Sequence, residues 1–285
     1  MLASAASRAF RPFAFAISML AILAGCSTTS TPDIALHVTK PEKHAAIVIN
    51  AYSGEVLFEQ SSEALRYPAS LTKMMTLYIM FEALDAGKIT KSTMIPVSSY
   101  AASRPPSKIG FKPGQAIDVD SAIQALVTKS ANDVASAVAE YFAGSEEAFA
   151  QVMTSRARQL GMSRTTFRNA SGLPDPAQQT TARDMARLGL ALRKHFPHHY
   201  HYFSTKSFSF AGKNIKGHNR VLDRVEGADG IKTGYTRASG FNIATSVNTP
   251  NRRLIAVVMG GDTAKARDAQ VTQLIERYIN QASGN

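Results

Sequence analysis

Cysteine is almost absent from this sequence of 285 residues, which contains a single one, Cys26. Without a second cysteine no disulfide can form within the chain, so an exported domain would be held together by its core alone. Hydrophobic residues make up 45% of the sequence, enough for a sizeable core. The length fits one large domain or two small ones, and the chain lacks internal repeats and runs of low complexity.

Acidic residues are scarce compared with basic ones. The chain has 21 Asp and Glu against 32 Lys and Arg, which gives a formal net charge of +11. Such a balance suits nucleic acid, an anionic membrane surface or an acidic polymer as a partner. The basic residues are scattered and no nucleic-acid-binding motif accompanies them. We therefore expect a solvated basic surface and no nucleic-acid partner.

The apolar run over residues 13–23 is too short to span a bilayer comfortably. It follows two positive charges, Arg8 and Arg11. A short basic start and an apolar run of this length are typical of an export signal, which we predict over residues 1–25.

Cys26 comes directly after this run, and Leu23-Ala24-Gly25-Cys26 resembles the bacterial lipobox. In a lipobox the cysteine receives lipid and becomes the new N-terminus. We therefore expect a protein of the bacterial cell envelope, exported to the periplasm and held at the membrane by lipid on Cys26. Residues 26–42 would form a tether and residues 43–285 one domain. An ordinary signal followed by a stray cysteine is the alternative.

The period of the hydrophobic pattern changes along the chain. Alternating runs come first, helical periods fill the middle, and alternation returns from residue 230 onward. This order predicts a mixed α/β (α+β) fold, in which both chain ends join one antiparallel sheet and helices pack around it. Strands are predicted over residues 45–50, 55–59, 230–235, 241–247 and 254–259. Helices are predicted over residues 70–86, 116–143 with a break near Ser130, 146–160, 184–192 and 265–280.

Three short motifs follow one another along the chain. They are Ser70-Leu71-Thr72-Lys73, Ser130-Ala131-Asn132 and Lys232-Thr233-Gly234. Each alone is a weak signal, and the middle pattern, S-x-N, also occurs at Ser246 and Ser283. Only the copy at Ser130 stands in a helical segment between the other two motifs. In this order S-x-x-K, S-x-N and K-T-G are typical of serine enzymes that acylate themselves.

The residue types in these motifs suit acyl transfer without a metal. Ser70, at a helix start, is the expected nucleophile, and Lys73, one turn further on, is the expected general base. To accept a proton Lys73 must be neutral, and burial near the charge of Lys232 would lower its pKa. Ser130 can relay the proton to the leaving amine while Lys232 orients it. Asn132 can hold Lys73 and bind the substrate amide.

The K-T-G segment supplies the expected substrate-binding edge. Gly234 has no side chain, so a substrate backbone can lie against this strand. The backbone N–H groups of Ser70 and Tyr235 are the expected oxyanion hole.

The chain resembles the serine D-alanyl-D-alanine carboxypeptidases, the low-molecular-mass penicillin-binding proteins, over roughly residues 41–280. The resemblance implies a β-lactamase/transpeptidase-like fold and acylation of Ser70 by β-lactam antibiotics. It also implies removal of the terminal D-alanine from peptidoglycan stem peptides, with Thr233 and Arg267 holding the terminal carboxylate. Beyond the three motifs, the shared segments are Tyr67-Pro68-Ala69, Asn169-Ala170-Ser171-Gly172-Leu173, Ala182-Arg183-Asp184-Met185 and Met259-Gly260-Gly261.

Larger members of this family carry a further β-rich domain and a C-terminal amphipathic membrane helix. The sequence stops before either, so we expect any membrane attachment to come from Cys26.

Three alternatives stay open. A D,D-endopeptidase would cut the cross-links between stem peptides. A class A-like β-lactamase would need a glutamate between S-x-N and K-T-G to activate water, and no glutamate lies between Glu147 and Glu226. An inactive murein-binding lipoprotein would not need the three intact motifs.

No cofactor or metal is expected for this chemistry. One segment, His195-Phe196-Pro197-His198-His199-Tyr200-His201, contains four histidines that could bind a metal. It includes a proline and lacks the helical H-E-x-x-H spacing. We therefore interpret it as a histidine-rich loop.

Overall fold

The computed structural model describes residue 1 and residues 42–284. The predicted export signal, Cys26 and the predicted tether up to residue 41 lie outside these residues and stay predictions. Among the residues described, no helix is both long enough and apolar enough to cross a membrane.

Two strands open the described chain, helices with two short strands fill its middle, and five strands followed by a helix come last. The strands are β1 (Ala45–Asn50), β2 (Val56–Gln60), β3 (Met94–Pro96), β4 (Ala116–Asp118), β5 (Ser207–Phe210), β6 (Lys213–Lys216), β7 (Ala228–Thr236), β8 (Gly240–Thr249) and β9 (Arg252–Gly261). The helices are α1 (Lys73–Asp85), α2 (Ser99–Ser103), α3 (Val119–Val127), α4 (Asn132–Ala143), α5 (Glu146–Gln159), α6 (Ala182–His195) and α7 (Ala264–Tyr278).

The central sheet has five antiparallel strands in the order β2-β1-β9-β8-β7. β1 lies between β2 and β9, with Ile47 opposite Val257. The predicted antiparallel sheet built from both chain ends is therefore confirmed. β7 carries the K-T-G motif and forms one edge of this sheet, with Lys232 opposite Ala244 of β8.

Helices cover both faces of the sheet. Because side chains alternate along a strand, Val48 of β1 faces α7 and packs in one core with Val271 and Leu274. The neighbouring Ile47 faces the other way, into the larger core that contains Met74 and the rest of the helical middle. The first two motifs belong to that helical layer, whereas the third lies on the sheet edge.

The helix predicted over residues 116–143 differs from the structure at its start. Ala116–Asp118 form β4, which pairs with β3. The Asp118 carboxylate accepts a hydrogen bond from Ser121 N at 2.8 Å and so begins α3 at Val119. The helix prediction is wrong at these three residues. The break predicted near Ser130 is present between α3 and α4.

The β5–β6 hairpin is absent from the sequence prediction. Ser207-Phe208-Ser209-Phe210 alternates as a strand should, and the turn is made by Ala211 and Gly212 with φ of 46° and 74°. Two central residues with positive φ are the pattern of a tight hairpin turn. The strands are only four residues each, too short to stand out by periodicity.

Candidate active site

Ser70 lies in a 3₁₀ turn, Ala69–Thr72, that leads directly into α1. The prediction that Ser70 opens the α-helix is wrong by one short turn, because the helix proper begins at Lys73. Ala69 has a φ of 49°, in the left-handed region that a non-glycine residue keeps only when its surroundings enforce it. The nucleophile turn is therefore held in place by its neighbours.

Two glycines let neighbouring segments pack closely against the nucleophile turn. A Cβ atom on Gly172 would lie 1.8 Å from Ala69 O, and one on Gly234 would lie 2.9 Å from Ser70 N. The atoms in the way belong to the backbone, so they cannot swing aside as a flexible side chain could. Gly234 was expected to leave room for a substrate. The structure adds a second reason, because β7 packs directly against the nucleophile turn.

Lys73 is fully buried, and its Nζ has three polar neighbours. Nζ lies 2.5 Å from Ser171 O, 2.8 Å from Asn132 Oδ1 and 3.2 Å from Ser70 Oγ. The two carbonyl oxygens can only accept hydrogen bonds, whereas a neutral amine has two hydrogens and one lone pair. When Lys73 is neutral both hydrogens are used, and the lone pair is left to accept the proton of Ser70.

Burial is the main cause that lowers the pKa of Lys73 well below its ordinary value, and the charge of Lys232 adds to it. Glu146 and Asp133 act in the opposite direction. The pKa of Lys232 falls to about 7, through burial and then the charge of Arg267. Burial and the neighbouring charge thus favour the neutral form of Lys73, whereas Lys232, with a pKa of about 7, is mainly cationic below that pH.

Ser130 lies in the break between α3 and α4 with a φ of 60°. Its side chain lines the same cleft as Ser70 and is only 6% exposed. Within residues 42–284 its Oγ has no hydrogen-bond partner. A buried hydroxyl left without a partner costs about 1–3 kcal/mol, and a substrate group in the cleft would remove that cost.

Asn132, the first residue of α4, joins the second motif to the first. Its Oδ1 accepts from Lys73, and its Nδ2 donates to Pro105 O at 2.9 Å. Its backbone N–H donates to Ser107 O at 2.7 Å. The loop ahead of β4 is thereby fixed against the lysine, and one Nδ2 hydrogen remains for a substrate.

The side chains of the third motif point alternately to the two faces of β7. Lys232 is 1% exposed and its Nζ donates to Thr233 O at 2.9 Å. Thr233, Gly234 and Tyr235 all line the cleft that contains Ser70. Tyr235 is 55% exposed, and its ring stacks on Phe241 with centroids 4.2 Å apart. The sheet edge and the nucleophile turn therefore form adjoining walls.

Arg267 also lines the cleft, but its guanidinium is already engaged. Nε and Nη2 donate to Asp268 Oδ1 at 3.0 Å and 2.6 Å, and Nη1 donates to Asn242 O at 3.1 Å. A guanidinium has five N–H groups, so one hydrogen on each terminal nitrogen stays free. Asp268 and Asn242 thus orient the arginine without using up its capacity to bind a carboxylate.

One cleft of about 940 Å³ is lined by Ser70, Ser130, Asn132, Thr233, Gly234, Tyr235 and Arg267, whereas the buried Lys73 and Lys232 are not among its lining residues. Its walls also carry Arg220, Arg237, Lys265 and the imidazole of His218. The carboxylate among the described lining residues is that of Asp268, which is paired with Arg267. The cleft therefore has an excess of positive charge that suits an anionic ligand.

Asn242, a fully buried residue of β8, belongs to the site although none of the sequence motifs includes it. Its Nδ2 donates to Tyr67 O at 3.0 Å and Pro68 O at 3.1 Å, and its Oδ1 accepts from Gly260 N at 2.9 Å. The Asn242 side chain thus links the segment before the nucleophile to β8 and β9. The backbone carbonyl of Asn242 also accepts a hydrogen bond from Arg267. The signal available was an amide in β8, a strand that also contains a second amide, Asn248.

Glu146 at the start of α5 was also missed as part of the site. It is 3% exposed, and its Oε1 accepts from Ala170 N at 3.0 Å while its Oε2 accepts from Ser136 Oγ at 3.0 Å. Ala170 precedes Ser171, whose carbonyl holds Lys73. Glu146 therefore holds in place the backbone next to Ser171 O, one of the two carbonyl oxygens that accept from Lys73.

The side chains with metal-ligand geometry in the described part of the chain are Asp85, His198 and His199. None of the three lines the cleft. The acyl-transfer residues and this group are therefore separate features of the molecule.

A helix-covered antiparallel sheet with these three motifs at one cleft defines a β-lactamase/transpeptidase-like protein. The chain belongs to the D-alanyl-D-alanine carboxypeptidase family, which matches it over residues 32–263. It is 37% identical over 245 residues to the carboxypeptidase DacA of Escherichia coli K12, covering 84% of this chain and 61% of the relative. It is 35% identical over 251 residues to DacF of Bacillus subtilis 168, covering 84% of this chain and 63% of that relative. The chain thus spans less than two thirds of the length of both relatives.

Solved structures agree with this assignment. Penicillin binding protein 5 of Haemophilus influenzae superposes with a TM-score of 0.79 at 33% identity, covering 82% of this chain and 69% of that one. Penicillin-binding protein D2 of Listeria monocytogenes, in its ampicillin-bound form, superposes with a TM-score of 0.71 at 28% identity. That match covers 82% of this chain and 96% of the other. The predicted family and fold are confirmed.

Proposed function

We propose that this protein is a serine-type D-Ala-D-Ala carboxypeptidase that removes the terminal D-alanine from peptidoglycan stem peptides. The observation that carries the proposal is the environment of Lys73. Two carbonyl oxygens take its hydrogens and direct its lone pair to Ser70 Oγ. Membership of the family, and relatives named for this activity, support the choice of substrate.

Acylation would begin with proton transfer from Ser70 to neutral Lys73. Ser70 Oγ attacks the carbonyl carbon between the two D-alanines, and the N–H groups of Ser70 and Tyr235 bind the oxygen that becomes negative. The proton then passes from Lys73 through Ser130 to the leaving nitrogen. The C–N bond breaks, D-alanine departs, and an ester on Ser70 remains. The positive charge of Lys232, whose Nζ donates to Thr233 O, would orient the Ser130 hydroxyl through its electrostatic field and not through a direct hydrogen bond.

Deacylation would repeat these steps with water as the nucleophile. Lys73, neutral again, accepts a proton from the water that attacks the ester. The C–O bond to Ser70 breaks, and Lys73 returns the proton to Ser70 Oγ. The products are the free enzyme and a stem peptide shortened by one D-alanine.

The charge of the cleft favours a carboxypeptidase over an endopeptidase. A D-Ala-D-Ala terminus ends in a carboxylate, which Thr233 and the free N–H groups of Arg267 would bind. A cross-link presents an internal amide in place of that free terminus. Incubation with free pentapeptides and with cross-linked dimers, followed by mass analysis, distinguishes the two. Monomers released from dimers, with pentapeptide untouched, would reverse the assignment.

Ser70→Ala is the direct test of the nucleophile. We expect loss of pentapeptide hydrolysis and of covalent labelling by fluorescent penicillin by several orders of magnitude, because the motif residues act as a unit. The folded state should persist, as judged by circular dichroism. Ser283→Ala, which removes another S-x-N serine, is the matched control and should keep both activities. Labelling retained by Ser70→Ala would move the nucleophile elsewhere.

The same serine is the proposed target of β-lactam antibiotics, and the ampicillin-bound form of the Listeria relative supports this. The carboxylate of a β-lactam would occupy the place of the substrate's terminal carboxylate. A β-lactam is thus a proposed ligand alongside the stem peptide.

Export and lipid anchoring form the last part of the proposal. Residues 1–25 would be removed as a signal, and Cys26 would carry lipid that holds the enzyme at the periplasmic side of the membrane. Several acyl chains on one residue give firm anchoring, where one chain is marginal.

In a bacterial host, radioactive palmitate should label the wild type, and Cys26→Ser should lose the label. A mature N-terminus that is unblocked and begins beyond residue 26 would contradict the anchor.

A further inference from the structure

Three metal-ligating side chains converge at the C-terminal end of α1. The Nε2 atoms of His198 and His199 lie 2.7 Å and 2.9 Å from the same oxygen, Oδ1 of Asp85. All three ligand atoms lie within 4.8 Å of one another. Bonds of about 2.0–2.2 Å in tetrahedral geometry place zinc ligands about 3.3–3.5 Å apart. Small side-chain movements would therefore let an ion replace the two hydrogen bonds.

We propose that Asp85, His198 and His199 bind a divalent transition-metal ion, with Zn²⁺ as the best match. Two imidazole nitrogens and one carboxylate oxygen are ligands that zinc prefers. Mg²⁺ and Ca²⁺ favour sites built from oxygen alone, so the two imidazoles exclude them. Water would complete the coordination.

The position of His199 is already fixed without an ion. Its side chain is 11% exposed and stacks on the ring of Phe81, with centroids 5.0 Å apart and an interplanar angle of 23°. Phe81 is fully buried in α1, and Asp85 lies one helical turn further on. The helix thus sets two of the three ligands relative to each other. Such pre-ordering lowers the entropy cost of binding.

The site is also open to solvent and electrostatically suited to a cation. The side chains of His198 and Asp85 are 58% and 35% exposed, so an ion can reach them. Asp85 is the last residue of α1, where the negative end of the helix dipole adds to the carboxylate charge. The nearby Lys91 ammonium lies 4.0 Å from Asp120 and 5.3 Å from the ring of Tyr202, which offset its charge.

The bound ion would link α1, which carries Lys73, to a segment that packs against β7, the strand that carries Lys232. α1 begins with Lys73 and ends at the proposed metal site. The histidines lead into a 3₁₀ turn, Tyr200–Ser204, whose Phe203 packs so closely on β7 that a Cβ atom on Gly230 would lie 2.7 Å from it. The expected role is therefore structural, since the reacting groups lie elsewhere.

Metal titration of the full-length protein tests this site. The protein is prepared without a polyhistidine tag and stripped with a chelator, and Zn²⁺ binding is then measured by calorimetry with Co²⁺ as a visible probe. We expect one equivalent of Zn²⁺, visible d–d absorption from bound Co²⁺, and a melting temperature that rises with Zn²⁺ concentration, because the ion binds only the folded state.

Variants locate the ion. His198→Gln, His199→Gln and Asp85→Asn should each weaken Zn²⁺ binding by on the order of 100-fold or more, since losing even an indirect partner of a metal ligand costs 10–100-fold. His201→Gln is the matched control from the same segment. Among the described residues, the His201 ring hydrogen-bonds only to the backbone oxygen of His198, at 2.8 Å, so the Zn²⁺ affinity of this variant should match the wild type.

At a temperature where every variant is fully folded, penicillin labelling of Ser70 should be the same in all four variants, which separates this test from the proposed enzymatic function. Zn²⁺ affinity no better than millimolar in the wild type would overturn the site. So would equal affinity in the wild type and the three ligand variants. Either result would leave Asp85 as the acceptor of two ordinary hydrogen bonds.

Discussion

At Lys73, the two carbonyl oxygens that hold the amine also limit what can replace it. Arginine stays charged at every working pH, so it could not act as a base there. Methionine would fill the space but would leave Asn132 Oδ1 and Ser171 O without a donor, at a cost of about 1–3 kcal/mol for each buried group. The position of the Lys73 amine and its ability to act as a base therefore depend on the same three contacts, with Ser70 Oγ, Asn132 Oδ1 and Ser171 O.

The pH profile of acylation tests the charge states of the two lysines. Lys73 must be neutral and Lys232 charged, and the pKa of Lys232 lies at about 7. The second-order rate constant for acylation by penicillin should therefore fall as the pH rises through about 7, because Lys232 loses its proton. In Lys232→Arg the charge persists, so the alkaline fall should move to higher pH.

Lys265→Arg is the control for that profile, because Lys265 is an exposed lysine in the lining of the cleft. Its profile should overlay the wild type. An alkaline fall at the same pH in Lys232→Arg and the wild type would assign the titration to another group.

Among the elements, the long strands were predictable and the nucleophile turn was not. The strands near the two ends of the sequence, such as β1 and β9, have apolar runs that can be recognised directly in the sequence. The turn at Ala69 depends instead on Gly172, about a hundred residues further along the chain, and an alanine with positive φ has no signature of its own. Ser171 O likewise holds Lys73 through the backbone, which any residue type could supply. Family resemblance marked the segment around Gly172, and the structure explains why glycine stands there.

Gly172→Ala should displace the nucleophile turn. The added Cβ meets Ala69 O, so Ser70 must shift relative to the oxyanion hole. A misplacement of about 1 Å can cost on the order of 100-fold in rate, and we expect a loss of that size in penicillin acylation. Stopped-flow acylation and thermal unfolding would be measured together.

Gly161→Ala provides the comparison. Gly161 has a φ of 75°, but no atom of the described residues lies within 4 Å of the position its Cβ would take. This variant should lose about 1–2 kcal/mol of stability from the left-handed backbone alone, with acylation unchanged. Equal loss of acylation in both variants would mean that backbone strain, and not the collision, impairs the site.

At the scale of the whole molecule, the cleft has no free carboxylate among its described lining residues. Asp268 is bound to Arg267, and Glu146 is buried with both oxygens bonded. The absence of a glutamate between Glu147 and Glu226 was visible in the sequence. That Glu146 turns away from the cleft could be learned only from the packing of α5.

This arrangement predicts that penicillin traps the enzyme. In class A β-lactamases a glutamate activates the water that frees the acyl-enzyme, and the described lining of this cleft contains no glutamate. The penicilloyl ring also stays attached and blocks water, whereas D-alanine departs. Intact-protein mass after a penicillin pulse should show a stable adduct in the wild type and none in Ser70→Ala. Repeated rapid turnover of the antibiotic would instead make the protein a β-lactamase.

The pairing of β1 with β9 has a consequence for how the chain reaches its native state. Ile47 and Val257 lie opposite each other in the sheet but about two hundred residues apart in sequence. Such long-range contacts slow folding, because the intervening loop must close before they form. Until β9 is available, the fully buried strand β1 would have an exposed apolar edge of the kind that aggregates. A chain interrupted before residue 252 would therefore yield an incomplete sheet and no smaller folded enzyme.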